Sequence, residues 1–107
     1  MRYIRKANKA TFEFELTNCD GTPVDLSTST VKFIVKKDKS TPDSSAVLSG
    51  EIVNSETSNV MFQFDATETA NIQEGDYVCA LKIFRQDDMN DEVWSDNVKV
   101  VREVFNG

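Results

Sequence analysis

The chain has 107 residues, enough for one domain around one core and too few for two. It carries 12 basic and 18 acidic residues and no histidine, for a formal net charge of −6. Such a surface repels phosphate backbones and offers no basic stripe to an anionic membrane, so neither nucleic acid nor membrane is an expected partner.

Taken in chain order, Met1 to Lys9 is short and basic, with no apolar stretch behind the basic residues and hence no secretory signal pattern. Expression in the cytoplasm, with both Cys19 and Cys79 as free thiols, is the expectation that follows. Tyr3 and Ile4 form either a small edge strand or part of a loose arm. From Ala10 to Thr17 the residues alternate strictly: Phe12, Phe14 and Leu16 point one way, Thr11, Glu13 and Glu15 the other. That period of two marks a strand with one wet face.

Asn18-Cys19-Asp20-Gly21-Thr22-Pro23 is a turn, since Asp-Gly favours a positive φ and Pro23 ends regular pairing. Leu26 is expected to insert into the core, with Asp25 or Ser27 bonding nearby backbone. Thr30 to Lys37 is the second strong strand, with Val31, Phe33 and Val35 inward and Lys32, Ile34 and Lys36 outward. A polar loop from Asp38 to Ser45 precedes a strand over Ala46 to Val53, with a bulge or bend near Gly50.

Val60, Phe62 and Phe64 face the core from the next strand. Asp65 and Glu68 then have the spacing of a capping box, which predicts a brief helix with Ala66, Ala70 and Ile72 on its buried side. Gly75 to Phe84 follows with Tyr77, Cys79, Leu81 and Ile83 inward. Cys79 thus reads as a small buried apolar residue and Cys19 as exposed. Gln86 to Glu92 is an acidic hairpin loop, and Val93 to Val104 is the last strand, bulged near Asp96 and Asn97 with Val98 and Val100 in the core. The expected fold is all-β: one domain over residues 1–107, an immunoglobulin-like antiparallel β-sandwich of six to seven strands, with one short helical turn between the fifth and sixth main strands.

Chemistry is sparse. Without histidine no Ser-His or Cys-His nucleophile pair exists, and the scattered glycines make no phosphate loop. The acids sit in turns or on wet strand faces, where they are solvated surface rather than general acids or bases. No catalytic residue, cofactor or metal is assigned, and an enzyme is not expected. Asp88, Asn90 and Glu92 place oxygens at alternate positions, a calcium-like pattern, but the glycine and distal glutamate of an EF-hand are missing and a polar hairpin looks the same.

Phe84 and Trp94 flank this loop and could be cross-strand neighbours or an aromatic contact patch. Ile34, Met61 and Val78 also fall on outward faces. Ile34, Phe84 and Trp94 are therefore the candidate interface residues. Gln73-Glu74-Gly75-Asp76-Tyr77-Val78-Cys79 is similar to the tyrosine corner of immunoglobulin domains, although Cys19 lies in a turn and no Trp follows it at the expected distance.

Four segments together resemble something more specific: Ala10 to Leu16, Asp20 to Leu26, Val31 to Lys37, and Gly75-Asp76-Tyr77. Their order resembles the amino-terminal immunoglobulin-like domain of phage baseplate upper proteins and related tail modules. The resemblance implies a non-enzymatic phage or prophage structural module, present in the host cytoplasm during assembly and then in the virion. Its implied partners are other baseplate or tail proteins, with a homo-oligomer as one form of the assembly. This sequence ends at Gly107 without the long carboxy-terminal extension of that family, so the expectation is either a stand-alone adaptor or a domain cut from a longer chain. The competing reading is an immunoglobulin-like module that binds a carbohydrate or surface ligand through the Phe84–Trp94 hairpin.

Overall fold

The computed structural model describes residues 2–85 and 90–101, with side chains described for 2–85 and 93–101. The strands are β1 (Arg2–Arg5), β2 (Ala10–Glu15), β3 (Thr30–Lys36), β4 (Leu48–Val53), β5 (Asn59–Phe64), β6 (Gly75–Phe84) and β7 (Asn90–Val101). One short helix, α1 (Ala66–Ala70), joins β5 to β6. A 3-10 turn at Asp43–Ser45 lies in the loop before β4, which the sequence pattern did not reveal. No helix among the described residues is long and apolar enough to cross a membrane.

The strands form a five-stranded sheet, in the order β1-β7-β6-β3-β4, and a two-stranded sheet, β2-β5. Alternation sends one side of each strand into a common core. Phe12 and Phe14 of β2 and Val60, Phe62 and Phe64 of β5 meet Val31, Phe33 and Val35 of β3 and Tyr77, Cys79, Leu81 and Ile83 of β6. Phe33 and Val35 are fully buried, as is Leu81. These inward positions are the ones the alternation predicts. Leu26 is buried as expected, and the amide of Ser27 donates to Asp25 Oδ1 at 3.0 Å.

Several boundaries differ from expectation. The pairing is not wholly antiparallel: β1 runs parallel to β7, with Arg2 opposite Val98 and Arg5 opposite Val101. Parallel neighbours need a long crossover, and here the intervening domain supplies it. Gly50 makes no bulge, because β4 pairs with β3 in continuous register and Gly50 lies opposite Phe33. Its reason is space: a Cβ at Gly50 would stand 2.7 Å from Cδ1 of Phe62. The bulge in β7 falls earlier than expected, since pairing passes from Leu81–Trp94 to Lys82–Glu92 and leaves Val93 unmatched.

The capping box forms as its spacing predicts: the Glu68 amide donates to Asp65 Oδ1 at 2.8 Å, and the Asp65 amide to Glu68 Oε1 at 3.4 Å. Within the helix the buried residue is Thr69; Ile72, two residues past its end, is buried as expected, whereas Ala66 and Ala70 are exposed. Thr69 wins its place through a hydrogen bond. Its hydroxyl donates to the Asn8 carbonyl at 2.7 Å and accepts from the Asn8 amide at 3.2 Å. This clamp holds the β1–β2 connector, where Ala7 adopts φ 60°, so β1 is a fixed edge strand rather than a loose arm.

Gly50→Ala is expected to destabilise the domain by about 1–3 kcal/mol, because the added methyl must push the Phe62 ring out of a packed core. Urea unfolding of the variant checks this, and an unchanged midpoint would mean that the ring has room to yield.

Candidate docking face

The outer face of the five-stranded sheet is built from the residues that alternation turns away from the core. On β3 these are Thr30, Lys32, Ile34 and Lys36; opposite them on β6 stand Phe84, Lys82, Ala80 and Val78. Ser49 and Glu51 of β4 extend the face on one side, and Ser95 and Asn97 of β7 on the other. Ile34 and Ala80 are direct partners at its centre. Both are 6% exposed, although neither belongs to the inner core.

An ionic bridge covers them. Lys36 and Lys82 stand on the diagonal across the Ile34–Ala80 pair, and both ammonium groups reach Asp43 from the 3-10 turn. The distances are 2.9 Å from Lys36 Nζ to Oδ1 and 2.7 Å from Lys82 Nζ to Oδ2. The two lysine stems lie along the sheet and shield apolar surface beneath their charges. The loop that carries Asp43 is itself tied by Asp38, whose Oδ1 accepts from the amides of Ser40 and Thr41 at 3.0 and 2.9 Å. Hydrogen bonds from the Ser40 and Thr41 hydroxyls hold the Asp38 carboxyl below its ordinary pKa. Those from Lys36 and then Lys82 do the same for Asp43.

A shallow cleft lies on either side of the bridge. One, of about 530 Å³, runs from Lys36, Lys39 and Lys82 to Ser95 and Asn97. The other, of about 450 Å³, is lined by Lys32, Ile34, Ala46, Ser49 and Phe84. In the second, Lys32 Nζ sits 5.2 Å above the Phe84 ring and 3.6 Å from Glu51. A lysine-bordered apolar strip thus crosses a chain whose net charge is −6.

The three candidate interface residues do not form one patch. Ile34 and Phe84 line the same cleft, but Ile34 is buried where an exposed position was expected. Trp94 points the other way. It lies opposite Leu81 on the inner face, half-buried, with its ring 4.9 Å from that of Phe14 in an edge-on arrangement and the Arg2 guanidinium 5.6 Å above it. Phe84 lies opposite Asn90 rather than Trp94, so the aromatic hairpin on which the carbohydrate reading rested is not assembled. Of the other outward apolar residues, Met61 is exposed on β5 and Val78 is half-buried on the lysine face. The calcium-like pattern lies outside the described residues: 86–89 are not described, nor are the side chains of 90–92.

The sequence reading missed Lys36, Lys82 and Asp43 as a unit. The outward lysines were visible in the alternation, but only the register of β3 on β6 sets two of them across one apolar pair, and only the loop path brings Asp43 to both.

The buried ionisable groups are kept neutral. Burial pushes the Cys79 thiol up to about 11, and burial also raises the Tyr77 phenol. Tyr77 donates its hydroxyl to the Gln73 carbonyl at 2.7 Å. Among the described residues no group of three His, Cys, Asp or Glu side chains could hold a metal ion. Cys19 is exposed, Cys79 is buried, and neither is in a disulfide.

No protein-family model matches the chain, and no curated protein matches it. Among solved structures, the fold is similar to the soluble domain of PmoD from Methylocystis sp. ATCC 49242 (Rockwell), with a TM-score of 0.57 and 14% sequence identity over 92% of this chain and 77% of that one. At that identity the likeness is one of fold alone.

Two measurements test this description. In the native protein a thiol-specific disulfide reagent should modify Cys19 rapidly and Cys79 only after unfolding; fast labelling of both would mean that the inner face is open. Asp43→Ala should lower the unfolding free energy by about 0.5 kcal/mol at neutral pH, as partly exposed ion pairs do. Because the Asp43 pKa is depressed in the folded state, its contribution is complete above the usual 3.8 and is lost as pH falls through the lower folded value. The gap between variant and parent in urea should therefore close in that acidic range.

Proposed function

We propose that this chain is a non-enzymatic docking module of a phage or prophage baseplate or tail, built as an immunoglobulin-like sandwich. The observation that carries the docking role is the outer face of the five-stranded sheet. It is broad and shallow, with Ile34, Ala80 and Phe84 bordered by Lys32, Lys36 and Lys82. Faces of this kind suit a second protein surface better than a small substrate, which needs a concave site that encloses it. The ionisable groups in the interior, Cys79 and Tyr77, are held neutral and engage backbone carbonyls, which supports a packing role rather than a reactive one.

The immunoglobulin-like assignment draws on the hydrogen bond from Tyr77 to the backbone four residues upstream, the tie that defines a tyrosine corner. The two facing sheets and the short helix between β5 and β6 favour the same reading. Placement in a virion rests on the resemblance carried by Ala10 to Leu16, Asp20 to Leu26, Val31 to Lys37 and Gly75 to Tyr77.

The test is reconstitution. Co-expressed with the tail and baseplate proteins encoded beside its gene, the chain should elute with one of them in a fixed ratio by light scattering. The double charge reversal Lys36→Glu/Lys82→Glu should weaken that complex by at least about tenfold, as reversed interface charges do. Tail genes absent from its neighbourhood, or a chain that joins none of their products, would overturn the reading.

A further inference from the structure

A second surface stands apart from the lysine face. β1 and β2 are both terminal strands of their sheets, so among the described residues no strand pairs with their outer edges; on β1 the Arg5 carbonyl accepts from the Asn8 amide at 3.3 Å, which leaves the amide and carbonyl of Tyr3 and the amide of Arg5 as the open backbone groups of that edge. Between them lies a groove of about 350 Å³, lined by Arg2, Arg5, Asn8, Lys9 and the edges of Ile4 and Phe12. Arg2, Arg5 and Lys9 are exposed, and the stretch from Arg2 to Phe12 contains no carboxylate, in a chain of net charge −6. Among the described residues no ion pair engages Arg5, Lys6 or Lys9. The groove is preformed, because Thr69 clamps Asn8 and the Lys6 amide donates to the Val101 carbonyl at 3.0 Å.

We propose that the open edge of β1 accepts an extended acidic segment of a partner protein as an added strand, with its carboxylates against Arg5 and Lys9. An unpaired strand edge presents alternating amide and carbonyl groups, and only another peptide backbone satisfies them in register. Nucleic acid lacks that complement and meets an acidic protein besides. A second copy pairing β1 to β1 about a two-fold axis would crowd the Arg2, Arg5 and Lys6 cations of the two copies together with no carboxylate between them, which like-charge cross-strand neighbours disfavour. The acidic side chain nearest along β2, Glu13, stands on the outward face of the two-stranded sheet, which favours β1 over β2 as the receiving edge.

The test uses labelled peptides of about eight residues, a common strand length. One alternates glutamate with valine, one alternates lysine with valine, and one repeats the acidic sequence with methylated backbone amides. The acidic peptide should bind in fluorescence anisotropy, and the amides of β1 should gain protection from hydrogen exchange. Arg5→Glu/Lys9→Glu, which changes only exposed side chains, should weaken binding by about tenfold or more, whereas Lys36→Glu/Lys82→Glu should leave it unchanged. Any of four results would overturn the proposal: no binding, equal binding of the lysine peptide, equal binding of the methylated peptide, or tighter binding of single-stranded DNA. Because the readout is the β1 edge, it stands or falls independently of the lysine face.

Discussion

Everything in this fold is arranged around the ring of Phe33. It lies 4.5 Å from Phe12, 5.5 Å from Phe62, 5.8 Å from Phe14 and 6.1 Å from Phe64, measured between ring centroids. Four aromatic rings from the two-stranded sheet thus close on one ring from the five-stranded sheet. Burying such a side chain is worth about 1.5–3 kcal/mol in transfer free energy, and each well-placed ring pair adds roughly 0.5–1.5 kcal/mol. The cluster also dictates what may stand beside it. Opposite Phe33 on β4 the chain carries glycine, and the vacant Cβ position is where Phe62 lies. A strand interior would otherwise favour a β-branched residue, so local preference has yielded to packing.

The inner layer was legible from residue order because period-two alternation is a local property. Phe12, Phe14, Val31, Val35, Val60, Phe64, Tyr77 and Leu81 each declare their side through neighbours two places away. The capping box at Asp65 and the Asp20-Gly21 turn were readable for the same reason, as both are short-range hydrogen-bond patterns. What alternation cannot supply is which strand lies beside which, and in what register. The parallel alliance of β1 with β7, the extra residue at Val93 and the diagonal of Lys36 and Lys82 all depend on that. Ile34 shows the limit well. Its outward direction was read correctly and its exposure was not, since the cover comes from a loop and from two lysines on different strands. Thr69 is the converse case: a polar residue buried because one carbonyl and one amide at Asn8 satisfy it.

The surface chemistry follows a simple division. Acidic side chains dominate the composition, yet the outer face of the large sheet and the groove beside β1 are both bordered by cations. Within the lysine face the positive charge is partly neutralised by Asp43, which bridges the two lysines flanking Ile34 and Ala80. A partner approaching there with its own carboxylates would compete for the same ammonium groups and uncover apolar surface. The groove beside β1 has no such internal counter-charge among the described residues. The two surfaces therefore differ in kind: one offers a shielded apolar strip, the other exposed Arg5 and Lys9 beside a strand edge that no other strand covers.

The parallel pairing of β1 with β7 has a mechanical meaning. The two strands come from opposite ends of the described chain and point the same way, Arg2 beside Val98 and Arg5 beside Val101. Tension between the amino end of β1 and the carboxyl end of β7 therefore runs along the strands, so their cross-links are loaded together in shear instead of being unzipped one at a time. A domain strung in line between two larger bodies would resist extension at this seam, and the seam would have to slide before the aromatic cluster around Phe33 felt the load.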